Sequence, residues 1–248
     1  MTEVREEVVK RQNGVVYVIG RPDSFETSKK QMLDRFPAEL TDYETGSICT
    51  LEKTPKTTGI IMNTQASYLL SYYQPKKTTI KSTAARMLAC ALLEDQLYIP
   101  QFRYVMGAYG GFCGTGNDGY VYSELYRASS FAEPYEIIQQ APEYLDLILE
   151  QITNKDLNGY KLSLISRLIT PYGDFKMAIN ELFYEKNGQG SDIAYDLAKE
   201  VANLSVKDIK KQVKKLRKIF KKSGTAIIGT EEEIQANAEM FDKVYDMR

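Results

Sequence analysis

Apolar positions recur along this chain in blocks whose period switches between about two and about 3.6, which predicts alternating strands and helices. Residues 15–19, Val-Val-Tyr-Val-Ile, form a continuous apolar run between Gly14 and Gly20, the pattern of a central strand covered on both faces. Asp23 stands three residues before Glu26 in a capping-box arrangement, and Phe25, Met32, Leu33 and Phe36 follow at near-helical spacing until Pro37. Residues 40–58 are rich in Thr, Gly, Pro and Lys and read as a connection, with a short strand at 47–51 as an option. Segments 59–63 and 66–73 read as extended chain ending at Pro75. From Ser82 to Leu97 the positions Ala85, Leu88, Ala89, Leu92 and Leu93 lie three and four apart, which predicts a helix of about four turns.

Residues 108–113 and 120–127 flank a Gly-rich turn, and Tyr120, Tyr122 and Tyr126 alternate with Val121 and Leu125, so a β-hairpin is expected there. Helical patterns then fill 133–151, 155–169, 172–186, 192–202 and 206–222, the last opened by a Ser205–Asp208 box. A final strand, Thr225–Gly229, precedes a helix capped by Thr230 with Glu233 at its third position. No repeat and no low-complexity tract divides the chain, which is read as one α+β domain over residues 1–248.

Composition narrows the chemistry more than the fold. Among 248 residues there are 32 Lys and Arg, 33 Asp and Glu, and no histidine. The even charge argues against a dedicated nucleic-acid binder, and no apolar run is long enough to span a membrane. Without histidine, Ser-His-Asp and Cys-His catalysis and His-based zinc sites cannot be built from this chain alone. Cys49, Cys90 and Cys113 match no metal or redox spacing and read as reduced, mostly buried thiols.

Gly114-Thr-Gly-Asn-Asp-Gly119 matches the letters of a dinucleotide fingerprint. A nucleotide turn must open a helix, however, and the residues that follow alternate as a strand, so this segment reads as the hairpin turn. Lys207–Lys222 carries nine basic residues and one acidic. Ile209, Val213, Leu216 and Phe220 share one face, and the lysines read as its solvated opposite or as a surface for an acidic partner. Eleven of the 18 tyrosines fall between Tyr68 and Tyr144, which suits either a wet surface that grips peptide or ordinary sheet packing.

The run Arg103-Tyr-Val-Met-Gly-Ala-Tyr109-Gly-Gly-Phe-Cys113 places an always ionised guanidinium six residues before a phenol, next to glycines that let another backbone approach. Such a pair can hold a peptide carbonyl and its developing oxyanion; a surface Arg with a packed Tyr is the other reading. This segment resembles the last domain of the pitrilysin/insulinase metallopeptidases, most closely the presequence-protease branch. Val15–Gly20 with its helix, Gln65–Leu70, the helix at 82–97, and Ala226-Ile-Ile-Gly-Thr-Glu-Glu-Glu-Ile with Met240-Phe241 fall in the same order, so the resemblance covers essentially the whole chain.

The resemblance implies a two-layer α/β sandwich, a mixed and mainly antiparallel sheet covered by helices. It also implies one of four related domains that form a clamshell around a peptide chamber. Arg103 and Tyr109 would reach the substrate carbonyl, while zinc would sit on a His-x-x-Glu-His motif in another domain. This chain would hold no metal or cofactor and would be inactive alone. Its implied partners are the zinc-bearing N-terminal half, or a subunit carrying it, and a peptide, with no nucleic acid and no membrane. The expected compartment is the cytoplasm. The chain is thus read as a C-terminal domain excised from a zinc metalloendopeptidase, the alternative being a stand-alone non-catalytic peptide-binding or assembly subunit.

Overall fold

The computed structural model describes residues 25–34, 56–170, 178–182, 184, 190 and 192–248. They fall in two units, one drawn from residues 1–52 and 172–180, the other from residues 53–171 and 181–248. The strand expected at 15–19, the Asp23 cap, the option at 47–51 and Cys49 lie outside the described residues. Of the helix expected at 172–186, residues 178–182 and 184 are described, and they are helical. In the first unit, helix α1 (Phe25–Leu33) has Glu26 in its first turn and Lys30 in its last, each at the end of the helix dipole that favours it.

The second unit holds a six-stranded sheet ordered β3-β4-β2-β5-β1-β6. Its strands are β1 (Thr57–Ile61), β2 (Ser67–Tyr73), β3 (Gly110–Thr115), β4 (Val121–Ala128), β5 (Gly224–Gly229) and β6 (Lys243–Asp246). β1 runs parallel to β5 and β6, whereas the β2–β4, β2–β5 and β3–β4 pairs are antiparallel. The sheet is therefore mixed and mainly antiparallel, as expected. β6 is the strand that patterning did not reveal: its four residues are all exposed, so no alternation marks it.

Alternate positions bury one face of the sheet: Ser67, Leu69 and Ser71 on β2, Val121, Ser123 and Leu125 on β4, and Thr225, Ile227 and Gly229 on β5. The small hydroxyls among them are paired, Ser71 with Thr225 at 2.8 Å and Ser123 with the Tyr98 phenol at 2.9 Å. Over this face lies a helical layer of α2 (Ile80–Leu93), α3 (Ala132–Gln151), α4 (Asn154–Leu168), α5 (Ile193–Asn203) and α6 (Val206–Lys222). α2 touches each of the other four. Its Leu88, Leu92 and Leu93 are wholly buried, each contributing about 1.5–3 kcal/mol by burial. Among the described residues no helix is long and apolar enough to cross a membrane.

Caps fix where the helices start. Thr79 and Ser82 form a reciprocal box at α2, as do Thr153 and Asp156 at α4 and Ser205 and Asp208 at α6. The last was expected from sequence. Thr230 caps the short helix α7 (Glu231–Ala236), its hydroxyl accepting from the Glu233 N–H at 3.2 Å. The Glu233 carboxylate does not close a box there: it accepts from the Phe131 N–H at 2.9 Å and from the Ser67 hydroxyl, tying α7 to the starts of α3 and β2.

Helical structure also extends beyond the expected end at Leu97. From Glu94 to Val105 the helix widens, and the Met106 N–H bonds the Gln101 carbonyl five residues back at 2.9 Å. Pro100 lies inside this stretch, where it has no N–H to donate and its ring would crowd a regular α-turn; wider winding accommodates it.

Candidate functional site

The widened helix ends where Arg103 and Tyr109 must be brought together. Gly107 sits at φ +72°, a conformation that costs an L-residue with a Cβ about 1–2 kcal/mol, and there it turns the chain out of the helix. The Ala108 N–H then bonds the Phe102 carbonyl at 2.7 Å, and the chain enters β3. Phe102 is wholly buried, stacked on Tyr98 with ring centroids 4.9 Å apart. It also presses on β3 so closely that a Cβ at Gly111 would overlap its ring. Arg103, the next residue, points to the exposed side.

At this corner the Arg103 guanidinium carbon lies 5.7 Å from the centroid of the Tyr109 ring, within cation–π range. Tyr109 is 63% exposed, so its phenol is available to a ligand. Its ring meets Tyr126 edge-on at 5.6 Å, and Tyr126 meets Tyr68 in the same way at 5.5 Å. Arg103, Gly107, Ala108, Tyr109 and Arg127 line a cavity of about 570 Å³. The two residues singled out in the sequence therefore share one open cavity.

Arg127 is the member that sequence reasoning missed. β2 and β4 slip register between Ser67–Ala128 and Leu69–Leu125, so β4 carries one extra residue there, a β-bulge. Arg127 occupies the bulge at φ +53°, the only positive φ outside glycine among the described residues. Its carbonyl accepts from the Tyr109 N–H at 3.1 Å. The signal was present but faint: the buried phase 121, 123, 125 resumes at Ala128 instead of 127.

The open face of the sheet adjoins this corner. Ile60, Tyr68, Leu70, Glu124, Ala226 and Ile228 line a shallow groove of about 280 Å³ there, and Tyr68 links it through Tyr126 to Tyr109. The tyrosines divide between packing and surface. Tyr98 is buried packing, its phenol pushed well above the usual range by burial, while Tyr72, Tyr109 and Tyr126 are exposed.

A larger cavity, about 780 Å³, lies between the β3 edge, α2 and α4. Its two carboxylates are already engaged. Glu94 accepts from the Cys113 N–H at 3.1 Å, and Asp95 accepts from Gln96 at 2.7 Å and from the Tyr160 phenol. Burial, together with the bond to Asp95, pushes the Tyr160 phenol up to about 12.

Cys90 and Cys113 are buried, as expected. Cys90 Sγ lies 3.4 Å from the Thr115 hydroxyl, and burial pushes the Cys113 thiol well up, so it is a poor nucleophile. Gly114 and Thr115 end β3 and residues 116–119 form the hairpin turn, joined by Gly119 N–H to the Gly116 carbonyl at 2.8 Å, with Gly119 at φ +85°. Two strands flank it, where a nucleotide turn would need a helix.

The fold itself is found elsewhere. It matches the crystal structure of pitrilysin with a TM-score of 0.57 at 10% identity, over 90% of this chain and 24% of that one. It matches an inactive domain of peptidase M16 from Pseudomonas fluorescens with a TM-score of 0.56 at 15% identity, over 86% and 51%. The ferredoxin protease FusC, solved with Arabidopsis ferredoxin, gives a TM-score of 0.52 at 13% identity, over 82% and 23%. The architecture is that of an M16, or pitrilysin-type, peptidase domain, and the resemblance read from the sequence holds at that level.

In sequence the chain is similar to Protein HypA of Clostridium perfringens, 21% identical over 253 residues that cover 98% of this chain and 25% of that protein. It is also similar to the mitochondrial presequence protease of Schizosaccharomyces pombe, 25% identical over 161 residues that cover 64% of this chain and 16% of that protein. The chain thus spans a quarter or less of the length of these curated relatives. No protein-family model matches it.

Proposed function

We propose that this chain is the non-zinc, peptide-contacting domain of a metalloendopeptidase of the pitrilysin/insulinase type, closest to the presequence-protease branch. Arg103 and Tyr109 contact the substrate, and a zinc-bearing half of the same enzyme or a partner subunit completes the site. The observation that carries this reading is the shared cavity of Arg103 and Tyr109 on an M16-type fold. The sequence has no histidine, and among the described residues no three Cys, Asp or Glu side chains converge as metal ligands.

The chemistry assigned here is made by the two side chains themselves. The Arg103 guanidinium, steadied against the Tyr109 ring, offers a planar fork of N–H donors, and the Tyr109 phenol offers one O–H. Both can donate to one peptide carbonyl oxygen. As that oxygen gains negative charge the bonds strengthen, so the pair favours the transition state over the bound substrate. The tyrosine-lined face beside them holds the flanking peptide.

In the complete enzyme, Arg103→Ala and Tyr109→Phe should each lower kcat/KM by about 10²–10³, the range for loss of one oxyanion donor. Arg103→Lys should recover part of the rate, because an ammonium lacks the fork. Near wild-type turnover in both variants at full zinc occupancy would overturn the assignment.

One observation favours the second reading, a non-catalytic subunit: one of the similar structures is described as an inactive domain, and the chain covers half of it. The upstream reading frame separates the two. A His-x-x-Glu-His segment in frame supports the first reading, and a true start codon at Met1 supports the second.

A further inference from the structure

The corner described above holds more charge than contact with a carbonyl needs. Two arginines, Arg103 and Arg127, line one cavity, and no Asp or Glu is among its lining residues. Two other arginines are neutralised: Arg217 pairs with Glu143 and Asp146, and Arg248 with Asp246 and Glu231. Among the described residues neither Arg103 nor Arg127 has an ion pair of this kind. Two cations in one small cavity repel each other unless an anion joins them there.

The backbone at Arg127 points the same way. Residue 127 serves Tyr109 through its carbonyl, a role that Gly or Asn would fill with less strain at φ +53°. What arginine adds at that position is a guanidinium, on a residue that the bulge places in the cavity's lining. A guanidinium pairs best with a planar anion that accepts two parallel hydrogen bonds, which is the geometry of a carboxylate.

We propose that Arg127 is a specificity residue of the peptide site, which together with Arg103 binds a carboxylate of the peptide. The carboxylate comes either from an acidic side chain or from the peptide's C-terminus. This inference rests on the peptide-contact reading of Arg103 and Tyr109. It goes beyond that reading by naming the substrate class: peptides that place a carboxylate near the held carbonyl.

The test uses the chain as it stands, with binding followed by calorimetry or by NMR at low salt. Three N-acetylated pentapeptides share one neutral core containing a phenylalanine. The first has a free C-terminal carboxylate, the second a C-terminal amide, and the third the amide with one alanine replaced by glutamate. At least one carboxylate probe should bind about tenfold tighter than the neutral amide, the size expected for a charge-assisted bond, and whichever is preferred identifies the source. Arg127→Gly keeps the backbone conformation accessible, so its melting temperature should be unchanged or higher while the preference disappears.

Equal binding of all three peptides, or a preference that survives Arg127→Gly, overturns the inference. The failure of the underlying reading looks different. If no peptide binds, or if Arg103→Ala leaves the neutral amide's affinity unchanged, the peptide-contact assignment falls and this inference falls with it. If Arg103→Ala weakens all three while the carboxylate preference is absent, only the inference falls.

Discussion

The two cavities flanking β3 differ in what their polar groups are free to do. In the larger one, Glu94 is bound to the edge of the strand, and Asp95 is shared by Gln96 and Tyr160. Both carboxylates are thus spent on protein donors, so a ligand that needed them would have to displace bonds already made. In the smaller one, Arg103, Tyr109 and Arg127 present donors to open space, held in place by a ring contact, a bulge and a backbone bond. Volume alone would select the first. Donors clustered at fixed positions with no carboxylate in the lining select the second, because binding and catalysis draw on groups whose partners are not yet in place.

The comparison breaks most readily by exchanging the mutations between the cavities. In the complete enzyme, Asp95→Asn and Tyr160→Phe should leave kcat/KM within about twofold, against the hundredfold or greater loss expected at Arg103 and Tyr109. A comparable loss in steady-state kinetics from either substitution would move the chemistry to the larger cavity.

Stability offers the next largest effect. Gly107→Ala forces a Cβ into φ +72° and should cost about 1–2 kcal/mol in denaturant unfolding. It should also disturb Tyr109, which follows two residues later. An unchanged midpoint would show that the turn does not need glycine.

Alkaline titration sharpens the contrast from the other side. The Tyr160 phenol is raised in the folded state from 10.0 to about 12, so its contribution is fully present below pH 10 and is lost as pH rises through 12. Tyr160→Phe should therefore lose less stability than the parent chain between pH 10 and pH 12. Parallel curves would remove Tyr160 from the account. The smallest effect is expected far from both cavities: Lys211 pairs with Asp208 at 3.4 Å on the exposed face of α6, and Lys211→Ala should change stability by no more than about 0.5 kcal/mol.

Local rules made much of this molecule legible. Period-3.6 burial gave away α2 and α6, the Ser205–Asp208 box marked where α6 begins, and strand alternation around residues 114–119 separated a hairpin turn from a nucleotide loop. The Arg103-to-Cys113 segment was legible as a unit because both key side chains and the Gly107 turn lie within seven residues. Where pairing partners were remote, patterning failed. β6 has no buried residue and exists because β1 offers it a parallel edge. Glu233 looked like half of a capping box, yet its carboxylate is drawn to Phe131 and Ser67, more than 100 residues away.

What the sequence determined by itself was the kind of most elements, the Ser205 cap, the hairpin turn and the absence of imidazole chemistry, since these depend on neighbours within about one helical turn or on composition. What only the tertiary structure decided was which polar groups remain free. Folding spends the Asp95 and Glu94 carboxylates on Tyr160, Gln96 and the β3 edge. The same folding slips β4 by one residue against β2 and so carries Arg127 into the cavity of Arg103 and Tyr109. A strand's register is set by its partner across the sheet, and that partner is unknown until the chain has folded.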